Sequence, residues 1–163
     1  MAGKTALEIV KATWQNMVDA GGLDAKILSE LRVVDANHHE GVVTAEMRVE
    51  PHHLNRANGL HGGTICTLVD IAGSLAVSAR KQTSGLTGVS TDIHVSFLNG
   101  GKLGDNLRIE SFCPKVGRML AFTTTKIFAG TKLLATGSHT KYVGNSVAGA
   151  TASADDIYKT RTS

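Results

Sequence analysis

The sequence predicts an α+β fold in which a curled antiparallel sheet of about six strands wraps around one long central helix. The first observation is the stretch from Asn55 to Ala79, which becomes almost uniformly apolar after a polar start. A helix that is apolar on all sides is a buried helix. The second observation is a series of segments with alternating apolar and polar residues, which is typical of half-buried strands. The third is that short turns separate the later segments, and short turns join antiparallel strands.

The elements follow one another in a simple order. Apolar residues recur with a helical period within residues 5–20, and Gly21-Gly22 ends this amphipathic helix. Two strands, 27–34 and 42–49, come next, and the alternation of the second leaves one of its faces half exposed. After the central helix we expect four strands in a meander, with a tight connection at 114–118. These four strands cover residues 89–98, 107–113, 120–128 and 133–143.

Length and composition indicate one domain of 163 residues. We divide it into an N-terminal helix at 1–22, the main folding unit at 23–145 and a tail at 146–163. The tail is rich in Ala, Ser, Thr and Gly, a composition that predicts mobility. Because 42% of the residues are hydrophobic, the rest of the chain can bury a substantial core.

Composition also excludes several classes of function. The net charge of +3 and the lack of a dense basic run argue against nucleic-acid binding. No apolar run is long enough to span a bilayer, and we expect neither a membrane span nor a signal peptide. The two cysteines, Cys66 and Cys113, lack metal-ligand spacing and predict free thiols in a reducing compartment. We therefore expect a cytoplasmic protein, with a mitochondrial location left open.

The central helix carries the candidate chemistry. Gly62 and Gly63 at its entrance let the backbone approach a ligand closely, and the free N–H groups there suit an oxygen with negative charge. Asp70 is a lone carboxylate in the apolar segment, and such a group is costly unless it is paired, hydrogen-bonded or used. Gly62 and Asp70 are eight positions apart, which is on the order of 12 Å along a helix axis. One carbonyl cannot reach both groups of the same helix, so a shared reaction requires a dimer with two composite sites.

Four segments carry a resemblance to a known family: LHGGTICTLVD, GVSTDIHVSFLNGGKLGD, KVGRMLAFTTTKIF and GSHTKYVGN. Together they resemble the hotdog-fold acyl-coenzyme A thioesterases of the phenylacetate-thioesterase-like group, over residues 23–145. The resemblance implies that Asp70 is the general base or nucleophile and that the Gly62 N–H polarises the thioester carbonyl. It also implies that Asn55 lies near the carbonyl and the attacking water, and that Ser90 helps hold this water. Ser90 would come from the same subunit as Asp70, whereas Asn55, His61 and Gly62 would come from the partner.

The resemblance further implies a path for coenzyme A. Three basic side chains, Lys102, Lys115 and Arg118, suit its phosphate charges. The turn at 99–101 replaces a proline-containing turn of the family, and the turn at 129–132 is shorter. The residues matching the coenzyme A path are Ser90, Asp92, Phe97, Leu98, Asn99, Gly100, Gly101, Lys102, Lys115, Val116, Gly117, Arg118, Met119, Leu120 and Tyr142.

The residues alone leave simpler interpretations open. Asp70 could be a structural carboxylate paired with a buried polar group, His61 a capping residue, and Ser90 a solvated serine on a strand. Lys115 and Arg118 flank a turn, where basic residues are usually solvated. Only the resemblance favours the catalytic interpretation of Ser90.

Two pairs of histidines, 38–39 and 52–53, suggest a metal site. Adjacent histidines point apart on a strand, and no carboxylate stands at a chelating interval in the sequence, so we expect no metal. No cofactor is expected either, because coenzyme A is part of the substrate.

The expected function is hydrolysis of fatty (medium- or long-chain) or aryl acyl-coenzyme A to a free acid and coenzyme A. The geometry implies a homodimer, and analogy with the family extends this to a homotetramer made of two dimers. Two other functions stay open. One is a hotdog enoyl-coenzyme A hydratase or dehydratase that uses His61 with Asp70; the other is a non-catalytic acyl-coenzyme A carrier.

Overall fold

The computed structural model describes residues 4–83 and 85–144, so the predicted mobile tail at 146–163 lies outside the described residues. Within these residues three α-helices, a single 3-10 turn (Pro51–His53) and six strands follow one another. The helices are α1 (Ala6–Asp19), α2 (Leu23–Ile27) and α3 (Gly62–Ser78). The strands are β1 (Arg32–Asn37), β2 (Val42–Arg48), β3 (Val89–Phe97), β4 (Asn106–Val116), β5 (Leu120–Ala129) and β6 (Lys132–Tyr142).

The six strands form one antiparallel sheet in the order β1-β2-β4-β5-β6-β3. The central helix α3 contacts β2, β3, β4, β5 and β6, so the sheet curls around it. Most of α3 is buried from Leu68 to Ser78, as its uniformly apolar sequence predicts. The predicted α+β architecture is therefore confirmed. None of the described helices has the length and hydropathy needed to cross a lipid bilayer.

The predicted meander is only partly correct. Strands β4, β5 and β6 pair in succession, but β3 pairs with β6 and leaves β4 to pair with β2. Residues 98–105 carry the chain from β3 to the far side of β5 and β6, and they pass the entrance of α3 on the way, where the Leu60 N–H donates to the Gly101 carbonyl at 2.9 Å. The prediction failed because the connection at 98–105 is long enough to carry the chain past β6 and β5, whereas the turns that join β4, β5 and β6 are short.

Two predicted boundaries are also wrong. The strand expected at 27–34 begins only at Arg32, because residues 23–27 form the short helix α2. The buried Leu28 and Leu31 stand three positions apart, which is the spacing of a helix or turn, whereas buried residues of a strand recur every two positions. The connection expected at 114–118 is shorter, since β4 continues to Val116 through an irregularity between Phe112 and Lys115.

The N-terminal helix α1 forms as predicted. Thr5 and Glu8 make a reciprocal capping box at its start. Val10 and Trp14 are buried on one face, and the Trp14 Nε1–H donates to the Leu31 carbonyl at 3.1 Å. This hydrogen bond ties α1 to the segment that leads into β1.

Strand β3 lies at an edge of the sheet and is exposed along most of its length. Val89 is 54% exposed and Phe97 is 57% exposed, although both are apolar. Strand β2, by contrast, buries Val43, Ala45 and Met47, as its alternation predicts. An exposed edge strand with apolar side chains invites pairing with another strand.

Glycines allow α3 to lie close to β6. A Cβ atom at Gly137 would be 2.5 Å and 2.8 Å from the two γ-methyl groups of Val69. A Cβ atom at Gly73 would be 2.7 Å from the Thr123 hydroxyl and 2.8 Å from the His139 Nδ1 atom. These approaches bring the inward face of β6 within hydrogen-bonding distance of α3.

We predict that Gly137→Ala lowers the free energy of unfolding by about 1–3 kcal/mol, because the stiff Val69 side chain must move to make room. The measurement is urea denaturation at fixed protein concentration. Gly22→Ala is the control, since nothing lies within 4 Å of the added Cβ there. Equal denaturation midpoints for the two variants would contradict the close packing described here.

Candidate active site

The entrance of α3 presents a free backbone N–H. His61 is the N-cap of α3, and its Nδ1 atom accepts the Gly63 N–H at 2.7 Å. In the part of the chain that the structure describes, the Gly62 N–H has no acceptor. His61 therefore has the capping role that the sequence left open, while the Gly62 N–H stays available as a donor at the positive end of the helix dipole.

Asn55 organises the loop before α3. Its Oδ1 atom accepts the N–H groups of Ala57 at 2.8 Å and Gly59 at 3.2 Å. Among the described residues its Nδ2 group has no acceptor, so Asn55 keeps a donor for a ligand. The loop thus offers a second hydrogen-bond donor on the N-terminal side of α3.

The carboxylate of Asp70 lies two turns further along α3, with its side chain 37% exposed. The Ser90 hydroxyl of β3 donates to the Asp70 Oδ1 atom at 3.2 Å. The sheet register shifts between Ser90 and Asp92, and this irregularity directs Ser90 towards α3. The structure thus brings Asp70 and Ser90 together within one protomer, as the resemblance implied, and contradicts a merely solvated Ser90.

Two buried residues of β6 complete this group. The His139 Nε2 atom is 3.5 Å and the Lys141 Nζ atom is 3.9 Å from the Asp70 Oδ1 atom. His139 is 1% exposed and Lys141 is 3% exposed. Sequence reasoning singled out neither of them. The alternation of β6 could have indicated them, because it places both residues on the inward face of the strand, where a lysine is unusual.

Burial and neighbouring charges set the protonation of this group. Burial, and then the Lys141 charge, lower the pKa of His139 to about 4, against the opposing effect of Asp70 and Asp92. Burial also lowers the pKa of Lys141, and the charges of Asp70 and Asp24 oppose it. At neutral pH, His139 is therefore uncharged. Burial, followed by the charge of Asp70, raises the pKa of Asp24 on the neighbouring helix α2.

The predicted coenzyme A path falls into two groups at opposite ends of β3. Phe97 and the segment 98–102 lie beside the entrance of α3, where the Phe97 ring would be 3.5 Å from a Cβ atom at Gly62. The β4–β5 turn at 115–120 lies at the other end, where Leu120 and Val89 both pair with Tyr142. Ser90 and Asp92 belong to this second group. One protomer does not bring the two groups together.

A possible metal site involves the second histidine pair. The Nε2 atoms of His52 and His53 lie 3.6 Å and 3.7 Å from the Glu30 Oε2 atom, so the fold supplies the carboxylate that the sequence spacing lacked. His53, however, accepts the Glu50 N–H at its Nδ1 atom. Its Nε2 atom must then carry a proton, which it donates to the Ile27 carbonyl at 2.7 Å. Both nitrogens of His53 are occupied, so this donor set does not fit a metal ion.

Comparison with known proteins agrees with this fold. The family model for the thioesterase superfamily matches residues 57–136. Human acyl-coenzyme A thioesterase 13 is 36% identical over 140 residues, which cover 85% of this chain and 94% of that protein. A putative esterase of Schizosaccharomyces pombe is 35% identical over 148 residues, covering 90% and 89% of the two chains.

The solved structures give the same result. The crystal structure of zebrafish thioesterase superfamily member 2 matches with a TM-score of 0.77 and 38% identity, covering 87% of this chain and all of that one. The fold is therefore the hotdog fold of thioester hydrolases. The chain belongs to the thioesterase superfamily, which confirms the family resemblance found in its sequence.

The neutral His139 predicts a pH dependence of stability. An unfolded histidine binds a proton near pH 6.5, whereas His139 in the folded chain does so only near pH 4. The stabilisation is therefore complete above about pH 6.5 and is lost as the pH falls towards 4, by up to about 3 kcal/mol. Urea denaturation at several pH values should show a shallower decline for His139→Asn than for the wild type. Parallel curves would show that His139 does not titrate in this way.

Proposed function

We propose that this protein hydrolyses acyl-coenzyme A, with water attacking a thioester carbonyl that the Gly62 N–H polarises. The observation that carries the proposal is the Asp70 carboxylate, held by Ser90 at 3.2 Å and left partly exposed in an otherwise apolar helix. In this role Asp70 takes the proton of the attacking water as general base, and the coenzyme A thiolate leaves. In the nucleophilic alternative Asp70 attacks the carbonyl, the thiolate leaves, and water then hydrolyses the mixed anhydride. The human relative is named for the same substrate class.

The proposed site requires two protomers. Gly62 and Asp70 belong to the same helix, α3, and lie on the order of 12 Å apart along its axis. Ser90 and Phe97 mark the two ends of β3, the first near Asp70 and the second near Gly62. Antiparallel pairing of two β3 edges about a two-fold axis at the strand centre would set each Ser90 beside the partner's Phe97, one position from direct opposition.

Such pairing would also join the two halves of the coenzyme A path. The segment 97–102 of one protomer would then approach the turn 115–120 of its partner. Lys102, Lys115 and Arg118 would contribute positive charge from both chains to the phosphates. Asn55 and Gly62 would face the thioester carbonyl from the partner of the chain that supplies Asp70.

Further details of the proposal concern substrate, assembly and location. The apolar residues of α3 suit a medium- or long-chain fatty group or an aryl group. A dimer of dimers is supported by the outer face of the sheet, where Phe112, Leu120 and Phe122 are each at least 36% exposed. Both Cys66 and Cys113 are free thiols, which suits the expected cytoplasmic or mitochondrial compartment.

We predict that Asp70→Asn lowers the rate of acyl-coenzyme A hydrolysis by about two to four decades, because the base or nucleophile is lost. Release of the coenzyme A thiol measures the rate. Asp35→Asn, an exposed carboxylate on β1, is the matched control and should keep wild-type activity. Equal rates for Asp70→Asn and wild type would refute the catalytic role, and tight binding without turnover in the wild type would indicate a carrier.

A second prediction tests the composite site. Asp70→Asn and Asn55→Ala are each expected to be nearly inactive alone. Random co-assembly of the two chains should restore about a quarter of wild-type activity, because a quarter of the sites receive both intact residues. Co-expression of the two chains at equal levels, without selection for mixed assemblies, gives the random mixture, and a different affinity tag on each chain measures their ratio. If Asp70 and Asn55 of one chain served the same site, co-assembly would restore nothing.

A further inference from the structure

Lys141 is a buried lysine that the proposed reaction does not yet use. Its side chain is 4% exposed. Its ammonium group donates to the Ser74 hydroxyl at 2.7 Å and to the Ser90 hydroxyl at 3.3 Å, and lies 3.9 Å from the Asp70 Oδ1 atom. Burying an ammonium group is costly, so a lysine here needs compensation by these polar partners.

The hydrogen bonds around Ser90 determine where its hydroxyl proton points. An ammonium group only donates, so the Ser90 Oγ atom must accept from Lys141. The hydroxyl donates its one proton to Asp70. The His139 Nε2 atom lies 3.0 Å from the same oxygen, and with the hydroxyl proton already used it must be the donor. Two acceptor positions and one donor position of the Ser90 hydroxyl are then all filled.

The same assignment of donors and acceptors determines the tautomer of His139. Its Nε2 atom carries the proton, so its Nδ1 atom has only a lone pair. This Nδ1 atom is buried and has no hydrogen-bond partner among the described residues. Burial disfavours a charged His139, although the Asp70 backbone carbonyl and the charges of Asp70 and Asp92 act in the opposite direction.

Ser74 fixes the ammonium group of Lys141 to the helix turn that carries Asp70. The Ser74 hydroxyl donates to the Asp70 backbone carbonyl at 2.9 Å, so it accepts from Lys141. The charged groups that interact with Lys141 and His139 come from four elements. They are Asp24 of α2, Asp70 of α3, Asp92 of β3 and, within β6, His139 and Lys141 themselves.

We propose that Lys141 is a positioning residue for thioester hydrolysis: by donating to Ser90 it directs the Ser90 proton onto Asp70. Its charge adds to the burial that holds the pKa of His139 down. The Asp70 Oδ1 atom then has a fixed donor, which leaves the carboxylate oriented for the attacking water. Lys141 itself touches neither water nor substrate in this account. The inference rests on the proposed function.

A double-mutant cycle tests whether Lys141 acts through Ser90. Lys141→Met is expected to lower kcat by about 10- to 100-fold and to change KM by less than about threefold, because only orientation is lost. In the background of Ser90→Ala, the same substitution should lower kcat by less than about twofold, because the residue through which it acts is absent. Equal losses in both backgrounds would overturn the proposal. The matched control is Lys126→Met, an exposed lysine on β5, which should keep wild-type rates.

A second variant covers the case in which Lys141→Met does not fold. Ser74→Ala keeps the lysine charge and removes only its anchor on α3. We expect it to lower kcat by about three- to tenfold with little change in KM, since the ammonium group is less well placed. Wild-type kcat in Ser74→Ala would contradict the proposal.

A titration that needs no activity separates this inference from the proposed function. In Lys141→Met the charge that holds the pKa of His139 down is lost, while Asp70 and Asp92 still favour protonation. We expect NMR of the imidazole to show the pKa of His139 at least about one unit above the wild-type value. An unchanged titration would overturn the inference. A wild-type chain that hydrolyses no thioester, yet shows the shift, would refute the proposed function alone.

Discussion

A carboxylate inside an apolar helix is the constraint on which this structure depends. Asp70 stands in a segment whose other side chains favour burial, and an ionised carboxyl group there is stable only with polar partners. The hydroxyls one turn away on α3, those of Thr67 and Ser74, donate to backbone carbonyls and not to the Asp70 carboxylate. The fold supplies the partners from two strands at the edge of the sheet, as Ser90 on β3 and as His139 and Lys141 on β6.

The sheet meets this constraint by close packing. Gly73 on α3 and Gly137 on β6 remove the Cβ atoms that would hold helix and strand apart. The pairing of β3 with β6 then places Ser90 beside the two buried residues of β6. This pairing also leaves β3 with one free edge, so the arrangement that supports Asp70 also creates the surface through which we propose that two protomers meet.

Much of this could be predicted from the sequence. The uniformly apolar helix, the glycine pair at its entrance and the single carboxylate within it are local patterns, and the structure contains each of them. The pairing of β3 with β6 could not be predicted, because a connection as long as 98–105 allows β4 to lie either beside β3 or on the far side of β5 and β6. The bulge that directs Ser90 to Asp70 lies in this β3–β6 pair, so it could not be predicted either.

The burial of His139 and Lys141 could be predicted from the sequence, but their contacts with Asp70 could not. Alternation along β6 places both on the inward face, but which helix atoms they meet depends on the register between β6 and α3. Residues 69 and 73 on the helix and residues 137 and 139 on the strand define that register only after folding. Helix α2 was missed because its five residues are too few to show a helical period.

The central claim is that the entrance of one α3 helix and the Asp70 carboxylate of another act on the same thioester. The most direct measurement is a crystal structure with a coenzyme A analogue whose thioester is replaced by a ketone. The account predicts the Gly62 nitrogen of one subunit within about 3 Å of the ketone oxygen, and Asp70 of the partner subunit on the opposite side of that carbonyl, within reach of a bridging water. An analogue bound with Gly62 and Asp70 of the same chain around its carbonyl, or with neither of them, would contradict it.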